Sequence, residues 1–463
     1  MSNSTVFYPQ PAATGDGSGV VSHAGLLLVT RTAEVAGLPD VLRESLAPWR
    51  KDYAVHDPGK IVLDLVVAMI SGGDCVTDLA ILRGRESVFG QVASDPTVSR
   101  LISTLAAEPV TALSAIAKAR AAARGTVWEL AGEHAPSHDI GEDSPLIIDL
   151  DATLLTAHSE KQDAAPTYKK GYGFHPLVAF IDHGAGGTGE AGTGLLRPGN
   201  AGANTAADHT AVLRATLNQI PGLGWRAGRK ILVRTDSAGG TKEFLNYMHK
   251  RCLSYSCGFP ITPAMAAAID TLPKAAWTQA YNADGQPREG ADVAELTGLL
   301  DLDGYPGGMR VIVRREKPHH GAQLRFTDVN GWRLTCFVTN ARRGQLADLE
   351  VRHRRRARCE DRIRAAKATG MTNLPFHDFA KNQIWLALVE LAADLTAWTQ
   401  MLALPGTDAR TWEIKRLRLR LWAAAARLAR HARTRRLRYD QHHQWTPVLI
   451  AGLHRLDGYR ASG

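Results

Sequence analysis

Acidic side chains set inside apolar stretches mark where this sequence could carry chemistry. The run from Pro145 to Ala157, PLIIDLDATLLTA, holds Asp149 and Asp151 at alternate positions of an expected strand, so both carboxylates face one way. A second apolar run, KILVRTDSAGG from Lys230 to Gly240, ends on Asp236 and then turns through Gly239 and Gly240. A third acid, Glu360, lies in the middle of an expected helix from Leu346 to Gly370. Buried carboxylates are costly unless paired or bound to metal. Two strand-borne aspartates and a helix-borne glutamate suit a hard divalent cation such as Mg²⁺ or Mn²⁺, which leaves coordination positions open for phosphate. At about 100° per residue, His353, Arg356, Arg364 and Lys367 fall within roughly 40° of Glu360 around the expected helix. One acid flanked by cations on a single face fits contact with a polyanion better than an intrahelical salt-bridge ladder. A solvated charged face is the plainer alternative.

The spacing His353-x2-Arg356-x3-Glu360-x6-Lys367 resembles the Tyr-x2-Arg-x3-Glu-x6-Lys signature of a large branch of bacterial insertion-sequence DDE transposases. Histidine stands in the tyrosine's place, a departure similar to that of the sub-branch numbered thirteen-eighty. DLDAT, YGFHPLVAFID, LLRPGN, VRTDSAG, VIVRREK and LPFHDFAKNQIW add to the resemblance, which runs from about Gly25 onward. It implies a DNA transposase that cleaves at terminal inverted repeats and joins the ends to target DNA by two-metal phosphoryl transfer. The metal ligands and catalytic acids would be Asp151, Asp236 and Glu360, with Mg²⁺ or Mn²⁺ as cofactor. Asp151 is preferred over Asp149 because the family's first acid is followed closely by threonine, as in Asp151-Ala152-Thr153, and Asp149 becomes a supporting carboxylate. Arg356 and Lys367 would hold phosphate, with Arg364 on the same basic face. His353 would either touch phosphate or pack. In some members an aromatic of a β-rich insertion stacks on a flipped base; Trp332 is the candidate here, with a buried structural tryptophan as the alternative. The implied partners are double-stranded DNA, as terminal repeats and as target, and a second copy of the chain in a synaptic homodimer, at the nucleoid in the cytoplasm.

The elements that must position these residues divide the 463-residue chain into several units. Residues 1–24 lack apolar periodicity and read as a disordered leader. Residues 25–142 carry helical spacing, as in Ile61, Leu65, Ala68 and Met69, and form the expected DNA-binding domain. Within it, Ser94-Asp95-Pro96 starts a helix with Thr97, Ser99, Arg100 and Ser103 outward, like a recognition helix or a plain surface one. Residues 143–262 and 346–405 read as the two parts of an α/β, ribonuclease H-like core: three meandering strands, a helix over Ala206 to Gln219, and a strand ending on an acid. A glycine-rich turn is expected from Gly184 to Gly194. A β-rich insertion spans 263–345, and Phe379 to Leu404 reads as a core helix. Residues 406–463 form a basic region.

The net charge of +9 is concentrated late: 22 Lys+Arg face 9 Asp+Glu from Val351 onward, and the preceding chain is slightly acidic. Ten cations between Lys415 and Arg438 have no acid between Glu413 and Asp440, and Arg427, Arg430, Arg433 and Arg435 are candidate DNA contacts. Leu417, Leu419 and Leu421 alternate as in a strand, and Leu421, Ala424, Ala425 and Leu428 follow at helical spacing. The longest apolar run, Ile61 to Ile70, contains Asp64 and is half the length needed to span a bilayer, so no membrane partner is expected. Five cysteines give no even disulfide framework, and Cys252 and Cys257 near His249 read as buried thiols rather than zinc ligands. Two rivals fit part of the pattern. Asp149-Leu150-Asp151 is also the DxD of a nucleotide-sugar transferase, which leaves Glu360 and the basic tail unexplained, and a DNA-binding relic that no longer cuts is the non-enzymatic alternative.

Overall fold

The computed structural model describes residues 12–224, 227–318, 328–329, 331–431 and 434–461. The N-terminal third is helical. Helix α1, Pro58–Ser71, is capped by Asp57, whose side chain accepts from the N–H groups of Gly59 and Lys60, and stops at Gly72, held at φ 117°. Nearly all of it is buried, so the apolar run is a core helix. Among the described residues no single helix is long and apolar enough to cross a membrane. Helix α2, Asp95–Ala107, starts where Ser94 and Pro96 predict, and the long α3, Pro109–Ala131, follows. Ser99 and Arg100 are exposed on α2, whereas Thr97 and Ser103 are half-buried.

The core sheet is built from β1 (Leu146–Ala152), β2 (Leu177–Asp182), β3 (Gly189–Leu195), β4 (Ile231–Thr235) and β5 (Ser254–Phe259). Helix α4, Ala206–Leu217, precedes β4, and α5, Lys242–Lys250, precedes β5. The order is β3-β2-β1-β4-β5, with β2 antiparallel to both neighbours and β1, β4 and β5 parallel. Parallel pairing brings the ends of β1 and β4 to one edge: Leu150 faces Thr235, and Asp151 and Asp236 come next.

Several expectations need correction. The predicted glycine-rich turn is a turn only in its first half; β3 takes up the rest from Gly189, and its glycines make room for neighbours: a Cβ on Gly192 would come 2.6 Å from the Thr216 side chain. The insertion begins with a helix, Pro263–Thr271, and is not a separate β body. Its strands β6 (Thr278–Tyr281), β7 (Pro287–Glu295), β8 (Arg310–Glu316) and β9 (Trp332–Thr339) extend the core sheet, because Cys336 to Thr339 of β9 pair with β5. The expected disorder of the leader stops short of Val20–Val21, which forms a two-residue strand. Cys257 is buried as expected, but Cys252 is exposed at a left-handed turn, φ 57°.

The predicted long acidic-basic helix is broken into α6, Leu346–Arg354, a 3-10 turn, Arg355–Ala357, and α7, Arg358–Ala366. Helix α8, Phe379–Leu402, is buried along most of its length between the N-terminal helices and β3, with Trp385 and Trp398 enclosed.

The edge of the sheet at β3 is sealed by side chains rather than by another strand. Asp394 of α8 accepts from the Ala191 N–H at 2.8 Å, Glu390 accepts from Gly194, and Arg120 and Arg124 of α3 donate to the Ala191 carbonyl, each at 2.9 Å. Arg120 and Arg124 also pair with Asp394, at 2.8 and 2.9 Å, and Arg124 with Glu190 at 2.5 Å. Burial works to raise Glu190, but Arg124, His183 and Trp128 outweigh it and hold this carboxyl low.

The tail reverses the order its spacing suggested. Ile414–Leu417 and Arg418–Trp422 are helical, and the strands come after, as β10 (Ala426–His431) and β11 (Thr434–Tyr439). Leu417 and Leu421 are fully buried at i, i+4 while Leu419 is 77% exposed, so the helical period wins over the alternating one.

Candidate active site

Asp151 sits at the end of β1, where its Oδ1 accepts from the Ala152 N–H at 2.9 Å. Asp236 follows β4 and caps the next turn, its Oδ1 accepting from the Ala238 N–H at 3.0 Å. That turn is pressed against β5: a Cβ on Gly258 would lie 2.5 Å from the Ser237 nitrogen, so only glycine permits the approach. Burial pushes the Asp151 carboxyl up to about 6; Arg356 pulls it down and the neighbouring Asp236 adds to the rise.

Beneath Asp151 the same face of the sheet carries an alternating file of charge. Asp149, only 1% exposed, takes a two-point contact from Arg234 at 2.6 and 2.7 Å. Arg234 reaches on to Asp182 at 3.0 Å, and Arg358 donates to the same Asp182 oxygen at 2.9 Å. Arg356 closes the series with a 3.0 Å pair to Asp151. Arg234 also donates to the Arg352 carbonyl at 3.1 Å. These contacts clamp the α6–α7 segment across the ends of β1 and β4. Glu360, exposed in the first turn of α7, is carried four residues beyond Arg356. Arg234, Asp182 and Arg358 were missed by sequence reasoning, though an arginine inside the apolar KILVRTD is a visible signal that a buried acid must meet it.

The donor set fits a divalent cation: two carboxylates stand side by side at the strand ends, and their repulsion is relieved by positive charge. Here Arg356 supplies that charge to Asp151. Among the described residues, the group of three potential ligands whose donor atoms lie within 4.8 Å of one another is instead Asp74, Cys75 and Asp78, in the N-terminal domain. The Asp78 carboxylate is engaged there by the N–H groups of Asp74 and Cys75, at 2.9 and 3.1 Å.

The remaining predicted site residues divide. Lys367 donates to the Leu154 carbonyl at 3.1 Å, which places it beside the loop that follows Asp151. Arg364 stands one turn beyond Glu360 on α7, exposed, paired with Asp361 at 2.8 Å and near Glu413 at 3.7 Å. Trp332 is half-buried against the core with Arg315 over its ring at 4.7 Å, and Arg315 lies 4.0 Å from Trp277 as well. A cation thus lies over one face of the ring, and the packing around it matches the structural tryptophan given as the alternative. Of the tail residues, Arg427, Arg430 and Arg435 are exposed, and Arg433 lies outside the described residues.

His353 takes the packing alternative. Its ring lies flat on Phe337, centroids 4.5 Å apart, and Nδ1 is 3.0 Å from Ser256 Oγ. Burial, with Arg356 next, drives its pKa down to about 3. The unfolded chain therefore binds a proton near pH 6.5 that the folded chain refuses, and stability is lost as pH falls from about 6.5 toward 3. Between pH 7 and 5 this costs about 2 kcal/mol. Urea unfolding of His353→Tyr at both pH values is expected to show a correspondingly smaller acid loss; an unchanged loss would place the titrating group elsewhere.

No curated protein sequence matches the chain. Among solved structures, a piggyBac transposase synaptic complex with hairpin DNA is similar at 9% identity and a TM-score of 0.42, covering 86% of this chain and 79% of that one, a likeness too low to carry an argument. Residues 3–461 match the family described as "Transposase DDE domain group 1". With paired carboxylates at the strand ends and the match running over nearly its whole length, the chain belongs to this DDE transposase family.

Proposed function

We propose that the protein is an insertion-sequence transposase of the bacterial thirteen-eighty-like branch, acting as a synaptic homodimer at the nucleoid. It cleaves terminal inverted repeats and joins the freed ends to target DNA. The observation that carries this reading is the placing of Asp151 and Asp236 at the ends of adjacent parallel strands, with the Glu360 helix clamped over them through Arg356. The strand order β3-β2-β1-β4-β5, with β2 reversed, supports a ribonuclease H-like core. Two Mg²⁺ or Mn²⁺ ions held by Asp151, Asp236 and Glu360 would supply Lewis acidity and charge neutralisation for in-line phosphoryl transfer.

The chain's own groups do the positioning. Arg356 neutralises Asp151 in the free protein, and its planar fork can exchange that carboxylate for a phosphate of the substrate. Lys367 has donors to spare beyond its bond to Leu154, close enough to the Asp151 loop to hold the next phosphate. The pairing of both Asp149 oxygens with Arg234 supports this reading over the nucleotide-sugar alternative, in which Asp149 and Asp151 would share a cation.

The test is cleavage of duplexes taken from the DNA that brackets the coding region. Cutting is expected at an inverted repeat in Mg²⁺ or Mn²⁺, with Ca²⁺ supporting binding but little chemistry, since its longer, looser coordination suits occupancy better than in-line alignment. Full activity in EDTA would remove this reading.

A further inference from the structure

The tail's two strands form an antiparallel ribbon in which Arg427 faces Arg438, Arg430 faces Arg435 and Ala429 faces Arg436. Like charges directly opposite one another destabilise a ribbon. The base of the hairpin is nevertheless held firmly: Ala426, Leu428, Leu437 and Tyr439 pack with Val21, Ala24 and Val88, and the Tyr439 hydroxyl donates to the Ala24 carbonyl at 2.9 Å. Strand Val20–Val21 pairs along its side. All five of these arginines are exposed, and none has an acidic partner among the described residues. By contrast Arg418 is spent on the carbonyls of Met69, Ile70 and Ala368, and Arg420 lies over the rings of both Trp412 and Trp445.

The register decides which way the charges point. Arg430 and Arg435 share the face of Leu428 and Leu437, beyond the docked base, whereas Arg427, Arg436 and Arg438 lie on the opposite face. A ribbon lying on a flat anionic surface needs cations on one face. A ribbon inside a groove has phosphates on both sides of it. Two strands spaced about 4.8 Å apart, with side chains above and below, fit a B-DNA major groove about 12 Å wide and not a minor groove about 6 Å wide. We propose that the paired strands Ala426–His431 and Thr434–Tyr439 enter the major groove of duplex DNA, their two arginine faces spanning the groove to the phosphates of both strands. This rests on the transposase reading for the identity of the partner and adds the groove and the element that fills it.

The test uses the full chain in EDTA, so that no cleavage intervenes, on random-sequence duplexes. Replacing all five arginines with Gln is expected to flatten the slope of log K against log[salt] by about 0.9 for each phosphate no longer neutralised, up to about 4.5 in all. Thermal stability should hold or rise, because like-charge pairs are removed. Glucosylated hydroxymethylcytosine, which fills the major groove, should weaken wild-type binding at least about tenfold and leave the variant unaffected. An A-form RNA duplex, whose major groove is deep and narrow, should bind less well than DNA. Should the fivefold variant fold poorly, Arg430→Gln/Arg435→Gln and Arg427→Gln/Arg436→Gln/Arg438→Gln separate the faces, and each should flatten the slope. An unchanged slope, indifference to glucosylation, equal binding of A-form RNA, or an effect confined to one face would overturn the proposal. A protein that passes these tests yet cuts no DNA would lose the transposase reading and keep this one; cleavage with an inert hairpin would do the reverse.

Discussion

Asp151→Asn, Asp236→Asn and Glu360→Gln are each expected to lower cleavage of an element-end duplex by about a thousandfold or more, while affinity for that duplex changes little. The reason is that a carboxylate holding a catalytic cation contributes several kcal/mol at the transition state, at about 1.4 kcal/mol per tenfold, whereas phosphate contacts elsewhere supply the binding. The structure adds a second readout. Asp151 is buried beside Asp236 with its carboxyl raised to about 6, so the metal-free fold gains little from that charge. Added Mg²⁺ should therefore raise the melting temperature of the wild type through linkage, and each variant should lose that rise without becoming less stable in EDTA. Asp149→Asn is the control: it weakens the partner of Arg234 and should cost stability first, in EDTA as in Mg²⁺. A variant that cuts at the wild-type rate would remove its residue from the site.

The second large effect belongs to Arg124. Its side chain is fully buried and bonds to Glu190, Asp394 and the carbonyls of Ala191 and Gln219. Arg124→Met keeps much of the volume but takes one cationic partner from each of two buried carboxylates, leaving Asp394 to Arg120 and Glu190 to His183 and Trp128, and breaking a buried pair on one side costs about 3–5 kcal/mol. Arg31→Met, which removes a surface pair with Glu34, should cost no more than about 1 kcal/mol. Urea midpoints of the two variants measure the contrast, and a loss at Arg124 as small as that at Arg31 would show that the cluster is not what binds helix to sheet.

What could be read from the residues alone follows from the range of the interactions involved. The strand positions of Asp151 and Asp236 were legible because one sits within and the other ends a local apolar run, and Phe379–Leu402 because its apolar residues cover several faces. The pairing of Asp149 with Arg234 was not, since it joins residues 85 apart and no local spacing encodes it. The glycines of β3 looked like a turn because their reason for being small lies in Thr216 and Glu390, on helices elsewhere in the chain. Around Leu417, three leucines satisfy a period of two while Leu417 and Leu421 also satisfy a period near four, and burial alone decides between them. Trp332 was visible as an aromatic in an insertion, but not Arg315 lying across it.

The sealed edge at β3 bears on how this enzyme can be taken apart. The hydrogen-bonding groups along the open side of β3 are satisfied by α3 and α8, so a fragment beginning near residue 143 would expose a bare strand edge together with the stranded acids of α8. Such a fragment should self-associate rather than stand alone as a soluble nuclease, and the N-terminal helices cannot be exchanged for another module as if joined by a tether. Retargeting by domain grafting is closed off at this junction.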